Sequence, residues 1–173
     1  YTQLFGSVDS ATPVSAEAIG DVLRHSLGLS AWKQYDKSRW SLRVNPSSGN
    51  LHPTEAYVIC GPVSGLATTP AVYHYAADRH ALERRCVLEE IAWRSEFGRA
   101  DIVLVAFTSI HWREAWKYGE RAFRYCQHDL GHAVAATSLA AMLVGWRAVL
   151  LPAWSHRSIA SLTGIDRDED FTE

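Results

Sequence analysis

One long helical pattern constrains the fold more than any other feature of this chain. Residues 114–145 read as a largely continuous helix, and residues 133–144 are apolar on every side. In a soluble protein, a helix that is apolar all round lies buried at the centre of the structure. The apolar stretch has on the order of twelve residues, whereas a membrane span needs about 20. The pattern therefore predicts a domain built around a central helix, with Gly119 and Gly131 as the places where that helix could be interrupted.

The rest of the chain mixes short strands with helices. A first helix over residues 15–27 has Ser15 as its N-cap and ends at Gly28. Residues 29–40 read as a polar connection, and residues 102–108 as an apolar strand buried on both faces. The other predicted strands cover residues 56–60, 72–76, 81–86 and 148–151, and two short helices cover residues 89–97 and 155–162. This order predicts an α+β fold, and without a G-x-G-x-x-G a Rossmann unit is not supported.

Composition excludes several classes of protein. The net charge of -2 and a pI near 6.5 argue against a nucleic-acid partner. Cys60, Cys86 and Cys126 are odd in number and form no C-x-x-C, which favours a reducing compartment. The start of the sequence lacks a signal-peptide pattern, so we expect a cytoplasmic protein without a membrane partner. The 173 residues suffice for one domain, and the missing initial Met and the acidic residues 166–173 suggest a piece of a longer polypeptide.

The segment RVNPSSGNLHPTEAY, residues 43–57, carries the clearest functional signal. Six polar or turn residues run directly into an apolar strand pattern, and the connection is longer than a simple turn requires. Hydroxyls, one amide and backbone N–H groups at the mouth of a sheet could bind a polar, planar, anionic ligand. By composition alone, an ordinary long loop remains the other interpretation.

Two motifs in this order resemble a known family. PSSGNLHP, residues 46–53 and here called the signature loop, resembles the P-S-S-x-N-x-Q/H-P signature of FMN-dependent nitroreductases. WKYGERAFRYCQHDLGHAVAATSLAAMLVGW, residues 116–146, is similar to the corresponding segment of the SagB/ThcOx-type branch, which includes azoline dehydrogenases. The resemblance implies a nitroreductase-like mixed sheet flanked by helices with a long central helix. It also implies FMN bound at a two-fold interface, and so either a homodimer or pairing with a second nitroreductase-like half.

The resemblance further implies which residues hold the flavin. Independently of the resemblance, Arg43 precedes the loop and its guanidinium suits a bidentate contact to phosphate, although a solvated charge is an equal alternative. At the N5 edge Pro152 cannot donate, so the backbone donor would be Ala153 or Trp154, and Trp154 could instead be a core residue. We expect the signature loop and this backbone to converge on opposite margins of one ring. The positions matching the ring-contacting loop are Pro46, Ser47, Ser48, Asn50 and His52, where His52 replaces the more usual Gln and could equally be structural.

Lys117 and Tyr118 match the Lys-Tyr pair implicated in substrate deprotonation in the azoline-oxidising branch. Removal of a proton by a base while hydride leaves to flavin N5 makes chemical sense. A solvated helix start is the alternative. The nearby HDLGH does not predict a metal site, because no Glu follows the first His and no third ligand is evident. Asp129 and His132 are instead expected to make a polar contact between helices.

The resulting prediction is an FMN-dependent oxidoreductase acting on a small molecule or a peptide. The hydride donor would be NAD(P)H or the substrate itself. Two alternatives stay open: a flavin-binding half without chemistry of its own, and a flavin-free dimerisation partner. Two departures from the family support them. Ala135 and Ala136 stand where relatives carry Gln-Asn, and the basic residues that usually hold the FMN phosphate are not visible.

Overall fold

The computed structural model describes residues 10–98 and 101–166, which form an α+β fold as predicted. The acidic run that suggested a longer polypeptide lies largely outside the described residues. The helices are α1 (Ala16–Ser26), α2 (Glu90–Phe97), α3 (Trp112–Tyr118), α4 (Ala122–Leu143) and α5 (His156–Thr163). The strands are β1 (Leu29–Tyr35), β2 (Ser38–Arg43), β3 (Thr54–Cys60), β4 (Ala71–Ala76), β5 (Ala81–Val87) and β6 (Val103–Ser109).

A four-stranded sheet in the order β5-β4-β3-β6 forms the centre of the molecule, and all its strand pairs are antiparallel. One face, which carries Val58 and Tyr73, packs against Ile19 of α1 and Ala133 of α4. The opposite face packs Ile59 and Val72 against Trp93 of α2. Alternate residues of β3 therefore serve two separate cores, as the period of a strand requires. The sheet is thus covered by helices on both sides.

Helix α1 begins as the sequence predicts. The Ser15 side chain accepts a hydrogen bond from the backbone N–H of Ala18 at 3.1 Å, which satisfies one of the free donors of the first turn. Ile19, Val22 and Leu23 form the buried stripe. The cap and the stripe together fix both the start of α1 and the face that it turns to the sheet.

Residues 29–43 form a hairpin, so the predicted polar connection is wrong. β1 and β2 pair antiparallel, with Tyr35 opposite Ser38 across a tight turn in which Asp36 has a φ of 49°. The hairpin is largely exposed, and the Arg39 guanidinium lies 4.4 Å from the ring centroid of Trp32. Apolar side chains occur on both faces of this ribbon, so no buried alternation marks it as a strand in the sequence.

Residues 148–151 are not a strand, which is a second correction. They lie in an exposed, irregular segment, where Val149 and Leu150 are 68% and 72% exposed. Their β-branched and aliphatic composition suits a strand, but a strand also needs a neighbour with free backbone groups. Within the described residues no strand pairs with this segment.

The long helical pattern is interrupted at Gly119, one of the two predicted places. Gly119 has φ 55° and ψ -133°, and a short 3-10 turn at Gly119–Arg121 leads into α4, which continues unbroken through Gly131. The predicted burial of α4 on all sides is wrong for this chain by itself. Ala133 and Ala140 face the core, but Leu139 and Leu143 are 47% and 49% exposed. β6 is likewise half-buried, because it is an edge strand of the sheet.

None of the helices in residues 10–98 and 101–166 combines the length and hydropathy that crossing a membrane would require. The three cysteines are unpaired; Cys60 and Cys126 are buried, whereas Cys86 is exposed.

Candidate functional site

The signature loop connects β2 to β3 and has an unusual backbone. Its centre is a 3-10 turn at Ser48–Asn50, and Gly49, Asn50 and His52 have φ values of 62°, 60° and 49°. Glycine adopts such values readily, but Asn and His do so only where the surrounding contacts hold them. The loop is therefore held in a specific, strained conformation by its neighbours.

Asp129 of α4 makes the strongest of those contacts. Its carboxylate accepts hydrogen bonds from the Ser47 hydroxyl at 2.6 Å, the Ser48 N–H at 3.0 Å and the Ser48 hydroxyl at 3.1 Å. The predicted helix-to-helix contact of Asp129 and His132 is therefore wrong. Asp129 is 1% exposed and joins α4 to the loop, whereas His132 is exposed.

Asn50 and His52 fix the second half of the loop. The Asn50 side-chain amide donates to the Ser41 carbonyl at 2.9 Å, which ties the loop to the β1–β2 hairpin. Its oxygen lies 2.8 Å from His52 Nε2, and the His52 N–H donates to the Ser47 hydroxyl at 2.8 Å. Burial, together with the positive charge of Arg43, lowers the pKa of His52 to about 4. His52 is therefore neutral at pH 7 and donates to Asn50 through Nε2.

The predicted Lys117–Tyr118 pair lies directly over the loop. A Cβ placed at position 49 would be 2.5 Å from Tyr118 Oη and 2.8 Å from Lys117 Nζ. The Tyr118 ring packs against Tyr125 at 4.4 Å between centroids, and Lys117 Nζ lies 5.4 Å from the Tyr118 centroid. Two segments far apart in the sequence thus place the Lys117 amino group and the Tyr118 phenol beside the backbone of Gly49.

A chain of charged side chains lies beneath the loop. Arg113 donates to the His52 carbonyl at 3.0 Å and to Glu55, and Glu55 also contacts His74 at 2.7 Å. Burial alone would raise the pKa of Glu55, but the hydrogen bonds from His74 and Arg113 outweigh it and lower the pKa. Arg43 is half-buried at the end of β2, where its guanidinium is 3.4 Å from the Thr54 carbonyl, and burial lowers its pKa. Two guanidinium groups therefore lie beneath the loop. Arg113 is paired with the Glu55 carboxylate, whereas Arg43 has no carboxylate partner within the described residues.

Buried polar atoms without a hydrogen-bond partner concentrate around the loop. Within the described residues they include Asn45 Oδ1, His52 Nδ1, Thr54 Oγ1 and both carboxylate oxygens of Glu114. Glu114 is fully buried on α3, one turn before the Lys117–Tyr118 pair, and burial with nearby Asp129 raises its pKa. Such atoms are rare in native proteins, and each needs a partner such as an ordered water or a ligand.

The predicted N5 backbone lies elsewhere. Ala153 and Trp154 line a surface hollow with Cys86 and Leu88, and the Trp154 ring stacks on Phe97 at 6.1 Å between centroids. This hollow is on the face covered by α2, whereas the loop is bound to α4 on the other face.

Strand register shows how far apart the two stretches are. Cys86 pairs with Val72, and Val72 pairs with Ile59, five residues along β3 from Thr54 at the end of the loop. At about 3.3 Å per residue, the position on β3 that is level with Cys86 in the hollow is about 17 Å from the end of the loop. Within one chain the two stretches therefore do not converge, and their meeting on one ring across two halves stays a prediction. The sequence could not show this, because it gives the order of the two stretches but not the sheet between them.

Three residues of this region had no sequence prediction of a role in the site. Arg113 and Glu55 look like ordinary surface charges in the sequence and carry no motif. Glu114 is different, because a carboxylate three residues before Lys117 shares its helix face, and this spacing could have drawn attention to it.

Comparison with known proteins gives a consistent result. A model of the nitroreductase family matches residues 10–172. A candidate nitroreductase of Methanocaldococcus jannaschii is 27% identical over 128 residues, covering 69% of this chain and 63% of the relative. The trifolitoxin-processing protein TfxB of Rhizobium leguminosarum bv. trifolii is 34% identical over 113 residues, covering 58% of this chain and 29% of TfxB. The chain therefore spans less than two thirds of the length of either curated relative.

Solved structures share the fold. A candidate nitroreductase from Anabaena variabilis superposes with a TM-score of 0.75 at 22% identity, over 93% of this chain and 37% of that one. The Escherichia coli microcin synthetase McbBCD complex, with truncated pro-MccB17 bound, gives a TM-score of 0.67 at 19% identity, over 88% of this chain and 59% of the matched chain. At these identities the superpositions show a shared fold.

Proposed function

The chain belongs to the nitroreductase family, and we propose that it binds FMN at the signature loop and acts as an FMN-dependent oxidoreductase of the azoline or peptide dehydrogenase type. The observation that carries this proposal is the position of Lys117 and Tyr118. Both reach the backbone of Gly49, at the centre of the loop that resembles the family's flavin-binding signature.

The residues around the loop fit a flavin. Ser48 and Asn50 present polar groups at the loop, and His52 Nδ1 is a buried atom without a protein partner. Arg43 supplies a positive charge that suits a phosphate. Bound FMN would supply a hydride acceptor at N5. The N5 edge would be met by the backbone at Ala153 or Trp154.

Lys117 and Tyr118 would hold and move the substrate proton. Tyr125 packs against the Tyr118 ring and limits its rotation, while Lys117 is exposed and can exchange a proton with solvent. A base that takes the proton as hydride departs is the expected contribution of such a pair. In the reductase version NAD(P)H would deliver the hydride; in the dehydrogenase version the substrate would.

A complete flavin site would need a second copy of this chain or a second nitroreductase-like half. Within one chain the loop and residues 153–154 lie on opposite faces of the sheet, so the two could meet on one ring only if they come from different halves. The exposed side of α4, with Leu139 and Leu143, is a candidate for the contact. Because TfxB processes trifolitoxin and the McbBCD complex holds pro-MccB17, a peptide substrate is the version we favour.

Flavin binding is the first test. Purified protein, or protein titrated with FMN, is expected to show flavin absorbance and quenched flavin fluorescence. A colourless protein that does not bind added FMN would refute the proposal and leave the flavin-free partner as the function.

The chemistry is tested separately in both directions. Nitroarenes or quinones are added to the photoreduced flavin, which can donate a hydride, and thiazoline peptides are added to the oxidised flavin, which can accept one. We expect Lys117→Ala and Tyr118→Phe each to slow substrate oxidation by about 10²-fold or more, the usual contribution of a positioned base. Tyr125→Phe is the matched control, because it removes a hydroxyl from the adjacent ring. If both variants oxidise substrate at the wild-type rate, the pair has no catalytic role. If flavin binds but no substrate reacts, a silent flavin-binding half is the better description.

A further inference from the structure

The internal hydrogen bonds of the signature loop link Ser47 to the amides of Asn50 and His52, and the Asn50 side chain to His52. Ser47, at its N-cap position, makes no side-chain cap to the 3-10 turn that follows. Asn50 and His52 both have positive φ, so the isolated loop would favour other conformations. Contacts from outside the loop therefore add to its internal hydrogen bonds in selecting the observed one.

Asp129 is the external contact best suited to do so. Within the described residues, the hydrogen bonds that its carboxylate accepts all come from Ser47 and Ser48, and no salt bridge includes it. If the loop moved away, a carboxylate that is 1% exposed would lose all these donors at once. Leaving a buried charge without donors is strongly unfavourable. The dependence is therefore mutual: the loop needs the carboxylate, and the carboxylate needs the loop.

We propose that Asp129 is a positioning residue that holds the signature loop in its ligand-binding conformation. The hydrogen bonds from Ser47 and Ser48 to the Asp129 carboxylate are here called the latch. The inference rests on the proposed function only in taking the loop as a flavin contact. The latch itself concerns residues of this chain and can be measured without any ligand.

The latch also fixes what the serines can offer a ligand. Both hydroxyls direct their protons to Asp129, so towards a ligand their oxygens can only accept hydrogen bonds. An acceptor backed by a buried carboxylate suits the donor groups of a flavin ring or ribityl chain and disfavours a phosphate. Loss of the latch should therefore weaken the binding of riboflavin and the binding of FMN by the same factor.

Hydrogen exchange at the Ser48 and His52 amides is the direct test. Both amides are protected through the latch, one by Asp129 and the other by the Ser47 hydroxyl that Asp129 orients. In Asp129→Asn we expect exchange at these amides to rise by about tenfold or more, since a hydrogen bond to a charged group contributes that much. Glu114→Gln is the matched control, because it alters a neighbouring buried carboxyl group that makes no hydrogen bond to the loop.

Ligand affinity gives the second measurement. Titrations of Asp129→Asn with FMN and with riboflavin are expected to show equal losses of affinity, about tenfold relative to the wild type. Asp129→Ala keeps no acceptor at this position. It should therefore show faster amide exchange and weaker flavin binding than Asp129→Asn. A loss confined to FMN would overturn the proposal, because Asp129 would then act through the phosphate.

The failure of the latch and the failure of the proposed function give different results. If the wild-type protein binds neither flavin, the proposed function fails and amide exchange alone decides the latch. If the Ser48 and His52 amides exchange no faster in Asp129→Asn than in Glu114→Gln, the latch is refuted whatever the result of the flavin titrations. Should Asp129→Asn not fold, Ser48→Ala takes its place, because it removes a hydroxyl that bonds to Asp129 but leaves both reporter amides with their acceptors. Faster exchange at Ser48 and His52 is expected, and unchanged exchange refutes the latch.

Discussion

Replacing Gly49 by alanine should separate the stability of the protein from the geometry of its site. Gly49 has φ 62° and ψ 9°, the left-handed region. An alanine there costs about 1–2 kcal/mol because its Cβ approaches the carbonyl oxygen that follows. For a chain of this size, that loss should lower Tm by about 2–8 °C.

The added methyl group also meets the proposed catalytic pair. Its Cβ would lie 2.5 Å from Tyr118 Oη and 2.8 Å from Lys117 Nζ, too close for either atom to stay. Both atoms are at the ends of side chains and can swing away with little loss of stability. We therefore expect Gly49→Ala to fold, but with Lys117 and Tyr118 displaced from the loop.

Gly98→Ala is the matched control. Gly98 has a similar conformation, with φ 59° and ψ -2°, and its added Cβ would meet nothing closer than the Arg94 carbonyl oxygen at 3.9 Å. The two variants should lose similar free energies of unfolding in urea. Only Gly49→Ala should weaken FMN binding and slow substrate oxidation. If Gly49→Ala loses more than about 3 kcal/mol beyond Gly98→Ala, or if its flavin binding and turnover equal those of Gly98→Ala, the packing of the pair on the loop is refuted.

Two further predictions concern pH and helix capping. The pKa of His52 falls from 6.5 to about 4 on folding. The unfolded chain therefore takes up the proton first as the pH drops. The stability that neutral His52 confers should be complete above pH 6.5 and should be lost between pH 6.5 and about 4. Urea unfolding across this range should show a shallower loss in His52→Gln than in wild type, and identical slopes would contradict the burial argument. Ser15→Ala should cost about 1 kcal/mol, because the Ala18 N–H loses its acceptor; Ser15→Asp should restore most of the loss, and equal destabilisation by both variants would show that the cap is not the cause.

Local patterns predicted those elements whose signals are short in range. The cap and stripe of α1 depend on residues within a few positions of each other, and so does the break at Gly119. The signature loop also has a motif readable in one stretch. The β1–β2 hairpin was not predicted, because it has no buried face that would produce an alternating pattern. Residues 148–151 were wrongly predicted as a strand, because a strand forms only where a neighbouring strand can pair with it.

The sequence by itself determined the family motifs, the α+β class, and the Lys117–Tyr118 pair as candidates for chemistry. Only the tertiary structure decided which of these meet. It placed the pair over Gly49 and bound the loop to Asp129, and it put residues 153–154 on the far face of the sheet. The physical reason is that motifs record residue types along the chain, whereas hydrogen bonds and close contacts depend on how the sheet and helices bring distant segments together.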